Sequence, residues 1–143
     1  MKITQLSVFL ENTAGRLREV TGILSNARIN IRALAMAETA DFGILRIIVN
    51  DAQKALQALR AEHFTVRETP IIAVEVPDQP GGLHSLLEAL AQENMNVEYA
   101  YGFVEKRTDN ALVVIRVEQP DAAIAVLQRK GFTVLGNKDI SGL

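Results

Sequence analysis

The sequence predicts an α+β chain made of two tandem βαββαβ repeats. Three observations predict it: one loop motif occurs twice, a second motif recurs at the same spacing, and hydrophobic periodicity changes in the same order in both halves. Asn12-Thr13-Ala14-Gly15-Arg16-Leu17 aligns with Asp78-Gln79-Pro80-Gly81-Gly82-Leu83, 66 positions later, and Ile29-Asn30-Ile31 falls on Met95-Asn96-Val97 at the same offset. Phe64-Thr65-Val66 recurs 68 positions on as Phe132-Thr133-Val134, which puts two extra residues in the second repeat near Lys106 to Asp109. The boundary is expected at Thr69-Pro70, because proline disfavours helix in the residue before it. This gives domains 1–69 and 70–143.

Residues 3–10 alternate, with Leu6, Val8 and Leu10 on one face and Gln5 and Ser7 on the other, as a half-buried strand does. Residues 14–27 space Leu17, Val20, Leu24 and Ala27 as a helix. Two strands, 31–38 and 43–49, are joined by a turn at Thr39-Ala40-Asp41. A helix over 52–62 aligns Ala55, Leu56 and Leu59, and Phe64 to Arg67 make a last short strand. The second repeat follows suit. Ile72, Val74 and Val76 alternate, and Leu83, Leu86, Leu87 and Leu90 stripe a helix. Val97–Val104 and Ala111–Val117 are strands, Ala123, Ile124 and Leu127 stripe a second helix, and Phe132–Leu135 closes the unit. This split βαβ order implies a ferredoxin-like arrangement in each repeat, an antiparallel four-stranded sheet with both helices on one face.

About 70 residues is marginal for a lone domain, which buries only roughly 60% of its chain's surface. The sheet face away from the helices is also unusually apolar. It carries Ile44 and Ile48 around Arg46, and Leu112 and Val114 beside Arg116. Such a face calls for a cover, most simply a second sheet in a homodimer.

Composition narrows the function. At 48% hydrophobic and 22% charged the chain can fold, and a net charge of −2 with scattered basic residues does not suit nucleic acid. Glu105-Lys106-Arg107 reads as a solvated loop. The absence of cysteine removes disulfides, thiolate catalysis and Cys-ligated zinc. The first residues enter a strand pattern directly, and no run approaches the ~20 apolar residues of a membrane span, so the expected place is the cytoplasm. His63, at a helix end where the other copy has Gly131, and His84, in a first helical turn, have no second histidine or acid set beside them. Neither a metal nor a cofactor is expected.

The loop between the first strand and first helix carries the chemistry. It ends at a helix N-terminus, where open N–H groups and the positive end of the dipole attract an anion of carboxylate size. No G-x-x-x-x-G-K-[ST] run directs it to phosphate. Asn12 and Asp78 read equally as caps or ligand contacts. Gly15 and Gly81 read as turn residues or as points of close approach. Asn30 and Asn96, each opening a strand, read as turn closers or as amides that hold a zwitterion. Tyr99 and Tyr101 read first as packing.

The pattern D/N-x-x-G-x-L, a helix, then x-N-I/V opening a strand, resembles the ACT domain, the small regulatory module of many enzymes of amino-acid metabolism. The resemblance covers nearly the whole chain, twice. It implies an amino acid bound where two such domains meet, between the first loop of one and the second strand of the other. One site would use Asn12, Ala14, Gly15 and Leu17 with Asn96 and Val97. The other would use Asp78, Pro80, Gly81, Gly82 and Leu83 with Asn30 and Ile31. Ala14 for Pro80 and Arg16 for Gly82 make the two unequal, and the second loop is expected to be the tighter, for a small apolar or uncharged polar amino acid.

An enzyme is disfavoured by the lack of a nucleophile–base pair, and an RNA-binding module by the lack of basic and aromatic central strands. The competing reading is a ligand-free interaction module acting on a separate enzyme or regulator.

Overall fold

In the computed structural model, which describes residues 1–105 and 108–143, the chain divides into two compact units. One is Thr4–Thr69; the other is Pro70–Leu143 together with Met1–Ile3. Lys2 Nζ lies 3.2 Å from the carboxylate of Asp121, and the Gln128 side-chain amide donates to Met1 Sδ.

The first unit runs β1 (Ile3–Glu11), α1 (Arg16–Asn26), β2 (Ile31–Glu38), β3 (Phe42–Val49), α2 (Ala52–Ala61) and the first half of β4 (Thr65–Val76). Its strands are ordered β2-β3-β1-β4. β3 lies antiparallel between β1 and β2, with Val8 opposite Leu45 and Leu34 opposite Ile47. Leu6, Val8 and Leu10 meet Val20, Leu24, Leu56 and Leu59 in one core beneath the two helices. The second unit uses the other half of β4, then α3 (Gly82–Ala91), β5 (Val97–Gly102), β6 (Ala111–Val117), α4 (Pro120–Arg129) and β7 (Val134–Leu135). Its order β7-β4-β6-β5 repeats the first, and Ile72, Val74, Leu86, Leu90, Ile115 and Leu127 fill its core. Both repeats are ferredoxin-like, as the periodicity predicts.

Several details differ from the sequence reading. The short strand at Phe64–Arg67 and the strand of Ile72–Val76 are one 12-residue strand, β4, with Pro70 inside it. A short helix α5 (Asn137–Ser141) follows β7 and buries Ile140. The readings that fall on Lys106 and Arg107 lie outside the described residues. Gln5 and Ser7 are not solvent-facing but buried, and Gln5 Nε2 donates to Ser7 Oγ, which lies 3.3 Å from Thr69 Oγ1. Buried polar groups persist where they find partners. Ile48, Leu112 and Val114 are at most 3% exposed within the single chain, so these three need no second chain to cover them.

Among the described residues the four long helices end alike. His63 takes a left-handed φ of +67° and donates to the carbonyl of Arg60, and Phe64 donates back to Leu59. Gly131 and Phe132 do the same with Gln128 and Leu127, at φ +88°. Arg28 and Asn94 occupy the same position after α1 and α3, and Ile29 and Met95 donate back to Leu24 and Leu90. This is the Schellman arrangement, with an apolar residue after each left-handed one.

Candidate functional site

The two β–α loops share their backbone geometry at the glycine that starts each helix. Gly15 and Gly81 both stand at the N-cap with φ +87°, where a glycine has no side chain to cap the helix. By contrast α2 is capped by Asp51, whose carboxylate accepts from Lys54 N at 3.1 Å. Asn12 and Asp78 stand three residues before the glycine N-caps. The Asn12 amide donates to the carbonyl of Thr39 at 2.9 Å, and its backbone N–H donates to Asp41, so it ties the loop to the β2–β3 hairpin. Asp78 is exposed.

The first helical residue of each copy turns its N–H back into the loop: Arg16 toward Thr13 and Gly82 toward Gln79. The helix itself leaves the N–H groups of the next residues unbonded, here Leu17 and Arg18 in one copy and Leu83 and His84 in the other. Around them Leu17 and Leu83 are 40% and 44% exposed. The sequence stripe assigns both to the core, but each sits one turn too early on its helix to reach it, so an apolar side chain stands open at the helix start in both repeats.

Gly82 is buried, and a Cβ on it would lie 1.9 Å from the carbonyl oxygen of Pro77. The close approach that its glycine permits is that of its own loop. At the equivalent position Arg16 projects outward, with Nη1 2.6 Å from Glu19 and its guanidinium 4.8 Å from the centre of the Phe64 ring. Ala14 and Pro80 are exposed one residue before the left-handed glycine.

Asn30 and Asn96 are both exposed. The Asn30 backbone is held by Asn50, whose side chain accepts its N–H at 3.0 Å while Asn50 N donates back. Sequence reasoning missed Asn50; its place just after an apolar strand is the signal. Asn96 lines a cavity of about 170 Å³ with Asn94, Glu118 and Gln119. That is below the roughly 300 Å³ of a whole small-molecule pocket. Both strands break register just after the asparagine, between Ile31 and Ala33 and between Val97 and Tyr99. Bulges of this kind re-aim side chains beside functional sites. They put Arg32 at one bulge, its Nε buried without a hydrogen-bond partner, and Glu98 at the other, 3.5 Å from Arg116. Tyr99 and Tyr101 stack on each other at 6.4 Å.

Within one repeat the loop and the asparagine stand at opposite ends of an 11-residue helix, α1, about 16 Å apart at 1.5 Å per residue. No single repeat brings both halves of the motif onto one amino acid. Among the described residues no group of three or more His, Cys, Asp or Glu is placed to hold a metal, and no helix is long and apolar enough to cross a membrane.

A family model described as an ACT domain pair matches residues 1–143. A solved protein from Bacteroides thetaiotaomicron is 44% identical with a TM-score of 0.92, covering 100% of this chain and 98% of that one. The ligand-free regulatory subunit of aspartate kinase from Thermus thermophilus is 18% identical with a TM-score of 0.63, covering 90% and 92%. The corresponding subunit from Thermus flavus is 17% identical with a TM-score of 0.60, covering 88% and 90%. No curated protein matches the chain.

Proposed function

The chain belongs to the family of ACT domain pairs, and from that premise we propose that it is a non-catalytic, cytoplasmic regulatory protein that binds a free amino acid. The observation that carries the reading is the duplicated loop: two helix starts, each with a left-handed glycine (φ +87°) at its N-cap and an exposed leucine beside it. Open N–H groups at a helix start favour a carboxylate, and the leucine offers an apolar contact to its side chain.

The contacts are assigned to Asn12, Ala14, Gly15 and Leu17 in one loop and to Asp78, Pro80, Gly81, Gly82 and Leu83 in the other, with the strand openings Asn30–Ile31 and Asn96–Val97. Asp78 brings a charged carboxylate suited to the ligand ammonium, where Asn12 brings an uncharged amide. The second loop is accordingly the stronger site. Binding there favours the arrangement that forms the site and shifts its population. The Thermus proteins of the same fold bear the name of enzyme subunits, which supports a readout through a separate enzyme. A homodimer is part of the proposal. It rests on the end strand β2, where Leu34 and Met36 are exposed, and light scattering tests it.

The decisive experiment is a thermal-shift screen of the purified chain against the twenty amino acids. A ligand at ~100 times its dissociation constant adds ~2.7 kcal/mol of apparent stability. A shift with one or two related amino acids, lost in Asp78→Asn, supports the reading. A flat response across the set sinks it in favour of a ligand-free interaction module.

A further inference from the structure

A cavity of about 520 Å³ opens within residues 4–69, at the end of the first repeat. It shares no residue with the loop contacts assigned above. Phe9, Phe42 and Phe64 line it, together with Glu11, Arg16 and Glu38. Its volume falls inside the roughly 300–1,000 Å³ of small-molecule pockets.

Two features point to an occupant. Phe42 is 65% exposed although it sits on the wall of a cavity with two other rings. Covering that ring removes apolar surface from water, and an aromatic partner adds ring-to-ring attraction. Arg16 supplies the second. A guanidinium has five N–H donors. The Arg16 side chain is 32% exposed, one donor serves Glu19, and its buried Nε has no hydrogen-bond partner. The Arg16 guanidinium also lies over Phe64, which fixes it at the wall. The Arg16 guanidinium, with donors beyond the one that serves Glu19, lines the same cavity as two carboxylates, Glu11 and Glu38, that can receive an ammonium.

We infer that this cavity binds a free amino acid with an aromatic side chain, in a site formed by the first repeat alone. The ring packs against Phe9, Phe42 and Phe64, the carboxylate meets Arg16, and the ammonium faces Glu11 and Glu38. Among the described residues the matching cavity of the second repeat, about 320 Å³, is lined differently. Glu75, Asn110 and Gly82 replace Phe9, Phe42 and Arg16, and the Asn110 amide donates to Glu75 at 3.5 Å. One molecule per chain is expected.

Calorimetric titration of the full chain with phenylalanine, and with alanine for comparison, tests this. Phenylalanine is expected to bind at one site per chain and alanine not to compete with it. Phe42→Asn, which copies the second repeat at an exposed position, is expected to weaken binding at least tenfold, as is Arg16→Gln, while Asp78→Asn leaves it unchanged. Absence of phenylalanine binding overturns the inference and leaves the loop reading to its own screen. So does binding that survives Phe42→Asn and Arg16→Gln but is lost in Asp78→Asn, which assigns it to the loop.

Discussion

The ends of the two repeats are built on the same backbone and carry opposite chemistry. In the first, Phe9 and Phe42 flank a cavity of about 520 Å³; in the second, Glu75 and Asn110 flank one of about 320 Å³ and bond to each other. Phe64 and Phe132 persist in both as the residue that donates back into the preceding helix. The positions that hold the fold are thus kept, while those that only line a space have diverged. A duplicated scaffold constrains its core and caps, because each is needed for folding, and leaves the rim free. The same contrast separates Gly82, locked by its own loop, from Arg16, which reaches out to Phe64.

The sharpest way to break the comparison is to exchange the residues at that point. Gly82→Ala drives a Cβ into the Pro77 carbonyl and is expected to cost about 3 kcal/mol, at the upper end of overpacking. Urea denaturation of Gly82→Ala beside Arg16→Ala measures it; equal effects would show that the two loops are not differently packed. A smaller effect separates the helix ends. Gly131→Ala places a Cβ at φ +88° and is expected to destabilise by roughly 1–2 kcal/mol. His63→Gly at φ +67° is expected to move the other way by about 1 kcal/mol. Thermal melts of the two variants giving the same sign would overturn the shared cap. The smallest change is expected from Asn12→Ala, which removes one exposed bond to Thr39 and costs about 0.5–1 kcal/mol. Amide exchange of the β2–β3 hairpin shows it, and an unaltered hairpin would mean that Asn12 does not tie the loop down.

Much of this was legible from residue order. The repeat, the strand and helix periods, the turn at Gly15 and Gly81 and the helix end at His63 follow from local sterics and from side-chain spacing of two and about 3.6 residues. These act over a handful of neighbouring residues, so a one-dimensional pattern records them. Where alternation assigns Gln5 and Ser7 to solvent and Leu17 and Leu83 to a core stripe, burial reverses both assignments. The cavity of Phe9, Arg16, Phe42 and Phe64 likewise gathers segments more than 50 positions apart. Burial and cavity shape depend on which distant segments arrive at one place, and hydrophobic period carries no record of that. Conformation was therefore written in the neighbours of each residue, whereas exposure, and with it the chemistry offered to a ligand, was settled by packing.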